Sequence, residues 1–354
     1  MTFGASALPS GFLVDRLGAR RVLLFAFLGA MVGALLIAVA PGSYALGVLL
    51  ALTGLCAGLY HPAGLSLIAR WADQRALALS YHGVAGNVGM ALAPVTAVSI
   101  AAVLDWRAAF VFLALLCAVT AALMAFVQLG AGVGQAPATR SAVEQRATGP
   151  RTRISPVLVL VYGVFLLNGF IYRGSLTFLP SHIEESARIS VFGLNEGWLA
   201  GSLTTLALFA GAGGQLVGGA LSLRFPLQRL APVLTLLLAP LLALIGFASG
   251  PWLALAAAGF VFANFSNQPV YTALIAEYSN EANLGRSYGV GFFLSFGLGS
   301  SAATAAGAIA DTWDVAAVFR GLSIVAVVAA GLAVLLMLAW ARDQARTSAP
   351  AREA

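Results

Sequence analysis

The stretch GFLVDRLGARR, residues 11–21, places one Asp and three Arg between two apolar runs of the chain. Its glycines permit a tight turn, and clustered arginines between apolar runs are typical of a loop at a membrane surface. The pattern therefore predicts a hinge that connects two membrane-spanning helices. Only ten residues precede it, which is too few for a complete span before the hinge.

The composition supports a membrane protein. Hydrophobic residues make up 60% of the 354 residues and charged residues 9%, with a mean hydropathy of +0.92. Soluble domains carry about 25% charged residues. The apolar runs match the ~20 residues of a transmembrane helix and lack the alternation of transmembrane strands. We therefore expect an all-α integral membrane protein.

The apolar runs predict about ten complete transmembrane helices after a short stub of an earlier helix. The predicted spans are 21–40, 44–69, 77–103, 108–130, 154–180, 198–223, 230–249, 252–276, 284–310 and 315–341. They define an incomplete N-terminal bundle (1–130), a polar central linker (131–153), a C-terminal six-helix bundle (154–342) and a tail (343–354).

The distribution of arginine predicts the orientation of the helices. Fifteen of the 19 Arg residues fall in one set of alternate loops and three in the other set. Basic residues concentrate in cytoplasmic loops. We therefore expect a multi-pass protein of a bacterial inner (plasma) membrane, with its linker and C-terminus in the cytoplasm.

The two halves of the chain repeat at an offset of 207 or 208 residues. DWRAAFVF at 105–112 corresponds to TWDVAAVF at 312–319, LIAR at 67–70 to LIAE at 274–277, and the hinge to GALSLRFPLQR at 219–229. The repeat predicts two pseudo-symmetric bundles of six helices. By the same offset the first helix would begin about 53 residues before Met1. We therefore expect the chain to lack helix one and most of helix two.

The hinge pattern G-x-L-x-D-R-x-G-x-R-R, with a weakened copy half a chain later, resembles the signature loop of the major facilitator superfamily. That resemblance implies twelve helices, cytoplasmic termini and alternating access around a midplane cavity. Within the superfamily, three segments resemble the fosmidomycin-resistance branch of exporters. They are GLYHPAGLSLIAR (58–70), HGVAGNVGMALAP (82–94) and FIYRGSLTFLP (170–180).

The resemblance implies that the hinge is a conformational latch between helices two and eleven, closed when the cavity faces outward. The latch residues would be Gly11, Asp15, Arg16, Gly18, Arg20 and Arg21. An ionised Asp15 can accept charge-assisted hydrogen bonds or cap a facing helix terminus. In the alternative interpretation the arginines only anchor the topology, which would not require Asp15 or the two glycines.

Polar residues within the fourth helix (44–69) and the tenth helix (252–276), numbered as in the twelve-helix architecture, are candidates for substrate binding. The repeat pairs His61 with Gln268 and Tyr60 with Asn267. Asn264, Asn267 and Gln268 share one helix face by their i, i+3, i+4 spacing. Polar side chains within spans usually face a cavity or another helix, and the resemblance implies that helices one, four, seven and ten line the cavity. Hydrogen bonding between helices is the alternative.

Arg173 lies within the seventh predicted helix, on the outer side of its middle. A guanidinium there is costly unless it meets water, an anion or a partner. We therefore predict that Arg173 anchors an anionic group of the substrate, with Asn168 and Tyr172 beside it. Snorkelling of the side chain toward the outer headgroups is the alternative.

Two histidines are candidates for proton coupling because imidazole titrates near neutral pH. His61 lies in the fourth predicted helix and His82 near the start of the fifth. No Asp or Glu lies in the interior of a predicted span, so a buried carboxylate is not available in the sequence for this role. A hydrogen bond at the helix end is the alternative for His82.

The fifth helix also carries small residues that favour close helix packing. Gly86, Gly89 and Pro94 form this face together with Gly83. They resemble the fifth-helix motif of antiporters, although Ala93 replaces the usual glycine before Pro94. The resemblance implies an exporter.

The sequence argues against an enzyme and against ATP as the driving force. The phosphate-binding pattern G-x-x-x-x-G-K-S/T is absent. The two cysteines lie within apolar runs, and the three histidines are scattered, with His182 in a predicted outer loop. We expect no metal, no cofactor and no nucleic acid, and a monomer whose partners are a small-molecule substrate and the lipid bilayer.

These features predict a secondary active transporter of a small, anionic organic molecule or drug that works by alternating access and proton-coupled export. An uptake symporter or an anion exchanger of the same superfamily is the first alternative. A non-transporting membrane sensor or scaffold is an alternative of another class. A membrane-embedded enzyme would need a cluster of catalytic or metal-binding residues that the sequence lacks.

Overall fold

The computed structural model describes residues 1–126, 155–186 and 196–348. The predicted central linker (131–153) and the end of the predicted tail lie outside these residues. All regular secondary structure in the described ranges is helical. The predicted all-α class is therefore confirmed.

Fourteen α-helices are present in the described residues. They are α1 (Thr2–Ala5), α2 (Ala7–Leu17), α3 (Ala19–Ala38), α4 (Ser43–Gly58), α5 (Tyr60–Trp71), α6 (Arg75–Val103), α7 (Trp106–Phe126), α8 (Pro156–Ser186), α9 (Glu196–Leu221), α10 (Leu227–Phe247), α11 (Gly250–Glu277), α12 (Leu284–Phe292), α13 (Ser301–Thr312) and α14 (Val315–Ser348). A helix or a continuous helical run coincides with each of the ten predicted spans.

Eight of these helical runs are long and apolar enough to cross a membrane. The other two predicted spans form α9 and α11. In α11, the side chains of Asn264, Asn267 and Gln268 interrupt the apolar run. The structure therefore confirms an integral membrane fold with about the predicted number of helices.

Two of the predicted spans are interrupted helices. The predicted span 44–69 is divided at Leu59 into α4 and α5, three residues before Pro62, which cannot donate the helical hydrogen bond to residue 58. The predicted span 284–310 consists of α12, a π-helical turn (Phe293–Gly297), a 3₁₀ turn (Leu298–Ser300) and α13. Such turns inside a helix are frequent at functional sites.

The predicted span 154–180 continues beyond its predicted end. We expected an outer loop at His182, but α8 extends to Ser186 and the His182 side chain is buried. Its Nε2 atom lies 2.9 Å from the carbonyl oxygen of Ile245, and its ring stacks on Phe319. The loop prediction was wrong because Pro180 removes only its own N–H from the helix, while the packing of the following turn keeps it helical.

The chain forms two compact units. The first contains Met1–Asp73, Leu92–Ser155 and Tyr278–Gly297. In it, α3 packs against α4 and α7, and α2 packs along α12. The second contains Gln74–Ala91, Pro156–Glu277 and Leu298–Ala354, where α10 packs against α11 and α14, and α9 against α11. The predicted domain boundaries stay a prediction.

The same arginine cap occurs once in each unit. In the first unit Arg107 donates to the carbonyl oxygen of Ala40, just past the end of α3, at 3.3 Å. In the second unit Arg320 donates to the carbonyl oxygen of Gly246, at the end of α10, at 3.2 Å. Arg320 also pairs with Asp314 at 2.9 Å. The backbone N–H of Ala317, together with Arg320, holds the pKa of Asp314 below its ordinary value.

Candidate functional site

The hinge carboxylate of Asp15 is surrounded by donors in the first unit. Its side chain is 5% exposed, although the hinge itself lies at the end of a helix. It accepts hydrogen bonds from the backbone N–H of Gly285 at 2.9 Å and from Arg286, through the backbone N–H and Nε, both at 3.0 Å. Arg70 lies 3.6 Å away. Asp15 therefore caps the first turn of α12, where a negative charge is favourable.

Glycines allow α2 and α12 to approach closely enough for this contact. A methyl group built on Gly11 would lie 2.5 Å from the carbonyl oxygen of Gly285. One built on Gly289 would lie 2.8 Å from the carbonyl oxygen of Ala7. Gly18, between α2 and α3, has φ 85°, a conformation that residues other than glycine rarely adopt. Backbone contact, rather than long side chains, brings Asp15 to α12.

The predicted latch residues do not all lie at this contact. Gly11 and Asp15 touch α12, and Gly18 forms the turn. Arg20 instead donates to the carbonyl oxygens of Met124 and Ala125, at 3.1 Å and 2.8 Å, near the C-terminal end of α7. Arg16 and Arg21 are exposed. Arg20 therefore ties α3 to α7, while the contact with α12 rests on Asp15 and the glycines.

His61 lies in an aromatic cluster of the first unit. Its ring stacks almost parallel on Phe292, with centroids 4.9 Å apart, and on Phe296 at 5.8 Å. Phe3 and Tyr60 meet it edge-on at 5.6 Å and 5.4 Å. Phe292 is the last residue of α12, and Phe296 lies within the π-helical turn that follows. The cluster therefore connects the predicted proton-coupling histidine with the interrupted eleventh helix.

The predicted anion anchor lies on α8 in the second unit. Arg173 is half-buried, and its guanidinium lies 5.9 Å from the ring centroid of Tyr172. The Tyr172 hydroxyl donates to the sulfur of Met90 at 3.7 Å, and its ring meets Phe265 edge-on at 5.9 Å. One turn earlier, Asn168 has a buried Oδ1 with no hydrogen-bond partner among the described residues.

The three polar residues of α11 point in two directions. Asn267 is buried and donates to Thr235 of α10 at 3.2 Å, while Tyr271 lies 2.8 Å from the same hydroxyl. Asn264 and Gln268 are only half-buried, and Gln268 accepts a hydrogen bond from Gln215 of α9. Asn267 therefore belongs to a contact between helices, whereas Asn264 and Gln268 form a separate stripe at i, i+4 spacing.

The small residues of α6 differ in what they contact. A methyl group on Gly83 would overlap the amide of Gln215. Methyl groups on Gly86 and Gly89 would meet no described atom within 4 Å, and Pro94 is exposed. Close packing is therefore present at Gly83, while packing at Gly86, Gly89 and Pro94 stays a prediction. The half-buried His82 precedes Gly83.

Sequence reasoning missed two polar residues of the second unit. Gln215 is 1% exposed and binds Gln268. Asn87 of α6 is 5% exposed, and its Nδ2 has no hydrogen-bond partner within the described part of the chain. The signal was available in both places, because an amide within an apolar span usually faces a cavity or another helix. In the described ranges no group of three or more His, Cys, Asp or Glu side chains could hold a metal ion.

The fold and these sites define a multi-pass, all-helical membrane protein of the transporter class. Residues 1–304 match the family model of the Major Facilitator Superfamily, and the chain belongs to that family. It is therefore a transporter and not an enzyme. No curated protein matches the chain.

Solved structures show the same fold. The fucose:proton symporter FucP from E. coli is similar with a TM-score of 0.71 and 18% identity, over 95% of this chain and 88% of that chain. The human organic anion transporter MFSD10 is similar with a TM-score of 0.75 and 20% identity, over 94% of this chain and 80% of that chain. At such identities the likeness concerns the fold alone.

Proposed function

We propose that this protein is a secondary active transporter that exports a small organic anion across a bacterial inner membrane in exchange for protons. Alternating access would carry the substrate past a cavity to which α8 and α11 contribute. The C-terminus would face the cytoplasm, as the arginine distribution predicts.

The anionic substrate is proposed from Arg173. Its guanidinium lies within the membrane-spanning helix α8 and is half-buried, and ionisable residues within spans usually mark a substrate or ion pathway. Asn168 and Tyr172 share its part of the helix, so a carboxylate, sulfonate or phosphonate would meet a cation with hydrogen-bonding neighbours. Another similar fold belongs to an organic anion transporter, which agrees with this choice without deciding it.

Proton coupling is proposed from the histidines. Because acidic residues are absent from the interiors of the predicted spans, a titratable group within the membrane must be sought elsewhere, and His61 and His82 are the candidates. The direction of export rests on the resemblance of segments 58–70, 82–94 and 170–180 to the fosmidomycin-resistance branch. Uptake by symport, as in the fucose:proton symporter with a similar fold, and anion exchange are the competing modes.

The Asp15 contact is proposed as the latch of the transport cycle. It joins the carboxylate of Asp15 to the first turn of α12 through three donor groups of Gly285 and Arg286, and Arg70 of α5 lies 3.6 Å away. Opening and remaking such a contact would set the rate at which the protein changes conformation. In this proposal Arg16, Arg20 and Arg21 support the hinge without joining α12.

Transport by purified protein in liposomes tests the proposal. We expect Arg173→Ala to raise the KM for the permanently charged anion ethanesulfonate about tenfold, which corresponds to about 1.4 kcal/mol of binding free energy. Arg173→Lys should raise the KM less. Arg224→Ala, which removes an exposed arginine outside the proposed binding site and latch, is the matched control. Equal and small effects of both Arg173 variants would contradict the anion anchor.

The same liposomes test coupling and direction. A proton gradient directed toward the substrate-loaded side should accelerate efflux, and reversing that gradient should slow it. Flux that follows a counter-anion gradient instead would favour anion exchange. A folded protein that moves none of the anions would favour the sensor or scaffold.

A further inference from the structure

Within the second unit, one face of the N-terminal part of α6 contacts neighbouring helices. Ser80, Gly83, Asn87 and Met90 are spaced i, i+3, i+7 and i+10, which places them on the same side of an α-helix. Ser80 fits where Gly219 of α9 lacks a side chain, and Gly83 leaves room for the amide of Gln215. Met90 accepts the hydrogen bond from Tyr172 of α8.

Asn87 lies between the Gly83 and Met90 contacts. It is 5% exposed, and its Nδ2 donor finds no acceptor among the described residues. A buried donor without an acceptor destabilises a folded protein, and such groups are rare in native structures. A group that is kept in this condition is a candidate for a ligand contact.

A buried acceptor without a partner lies on α8, as the donor of Asn87 does on α6. The Oδ1 of Asn168 is also buried and without a partner in the described part of the chain. Asn87 precedes Met90 by about one helical turn, and Asn168 precedes Tyr172 by about one turn. Because Met90 and Tyr172 touch, the two amides lie on the N-terminal side of the same contact between α6 and α8.

On the basis of the proposed function, we infer that Asn87 is a further substrate-binding residue, which donates to an oxygen of the transported anion. Asn168 accepts a hydrogen bond from a hydroxyl or N–H group of the same molecule. The substrate class is therefore an organic oxyanion that carries a hydrogen-bond donor. Arg173 and Asn87 bind the anionic group, and Asn168 selects the neighbouring hydrogen-bond donor.

Two matched anions test this inference. Isethionate and ethanesulfonate differ by one hydroxyl group, and both are permanently charged, so neither crosses the liposome membrane by itself. Wild-type protein should transport isethionate with a KM at least threefold lower. Asn168→Leu should abolish that preference, because the acceptor for the hydroxyl group is lost.

Asn87→Leu gives the readout that separates binding from structure. The substitution keeps the branching and the number of side-chain heavy atoms, and it removes the unpaired donor. We expect the KM for both anions to rise about fivefold, kcat to change less than twofold, and the melting temperature without substrate to stay equal or rise. A purely structural Asn87 would give the opposite pattern, with a lower melting temperature and an unchanged KM. Gly331→Ala in α14 is the control, because its methyl group would meet no described atom within 4 Å and the residue belongs to none of the predicted sites.

The outcomes distinguish this inference from the proposed function. If Arg173→Ala raises KM but Asn87→Leu leaves it within twofold, the role of Asn87 is overturned and the anion transporter stands. A water molecule held by Asn87 would give this result. If the wild-type protein transports neither sulfonate, the anionic substrate and the role of Asn87 are both overturned.

Discussion

The hinge at residues 11–21 and its copy at 219–229 each connect two helices, but different polar contacts stabilise them. In the first unit, Asp15 is buried and accepts from Gly285 and Arg286. The corresponding position in the copy is Leu223, which is 52% exposed. The repeat thus keeps the turn between two helices in both units but places a buried charge in only one.

The copy makes its own polar contact by another route. Gln228 of α10 is buried and donates to Glu277, the last residue of α11, at 2.6 Å. By the repeat, Glu277 corresponds to Arg70, which lies 3.6 Å from Asp15 in the first unit. The charge has changed sign together with the loss of Asp15. We therefore expect the first hinge to act as a switch and the copy to act as a fixed tie between neighbouring helices.

Removing the charge at each hinge should give the largest difference in stability and turnover between the two hinges. Asp15→Asn turns an amide donor toward the N–H groups of α12 and should destabilise the protein by about 2–3 kcal/mol. Turnover should fall about tenfold if the contact is the latch. Glu277→Gln keeps an acceptor for Gln228 and should cost less than about 0.5 kcal/mol. Melting temperature and initial transport rate measure both variants.

The contrast between these two variants decides the comparison. Equal losses of turnover in Asp15→Asn and Glu277→Gln would mean that both hinges switch. An unchanged rate in Asp15→Asn, with the expected loss of stability, would make the first hinge a structural cap only.

The glycines of the two hinges provide a second comparison. Gly11→Ala would press a methyl group against the backbone of Gly285, which cannot move aside, and we expect a cost of about 2 kcal/mol. In the copy, Gly219→Ala would meet the side chain of Ser80. A second substitution, Ser80→Gly, should therefore relieve the clash at Gly219, while the first unit offers no equivalent rescue.

Thermal unfolding of the single and double variants checks this prediction. The cost of Gly219→Ala should shrink by more than half when it is measured in the Ser80→Gly background. A cost that is unchanged in that background would show that Ser80 is not the obstacle.

The sequence predicted the helices well because hydrophobic length and turn residues are local signals. All ten predicted spans coincide with helical segments, and the family suggested by GFLVDRLGARR is confirmed. The error at His182 also has a local origin. Pro180 indicated a helix end, whereas the contacts of the next turn with Ile245 and Phe319 lie far away in the sequence.

The sequence identifies the candidate site residues by their type, but it does not show in which direction each side chain points. Asn267 and Gln268 are adjacent in the sequence and meet different helices, α10 and α9. Gly83 and Gly86 belong to one motif, yet only Gly83 packs against a described side chain. Which neighbour approaches which side of a helix depends on tertiary packing, and spacing within one helix cannot specify it.

The smallest expected effect concerns the position where the hinge has Arg20 and the copy has Gln228. Arg20 donates to the last carbonyl groups of α7, which a basic side chain stabilises. Arg20→Gln introduces the residue of the copy and should lower the free energy of unfolding by about 1 kcal/mol. Arg21→Gln changes the exposed neighbour and should lower it by less than about 0.5 kcal/mol. Melting temperatures of both variants measure the difference.

Because Arg20 does not touch α12, its loss should lower stability, while turnover at temperatures below the unfolding transition stays near wild type. A tenfold slower cycle in Arg20→Gln would extend the switch beyond Asp15 and bring the whole arginine cluster into the latch.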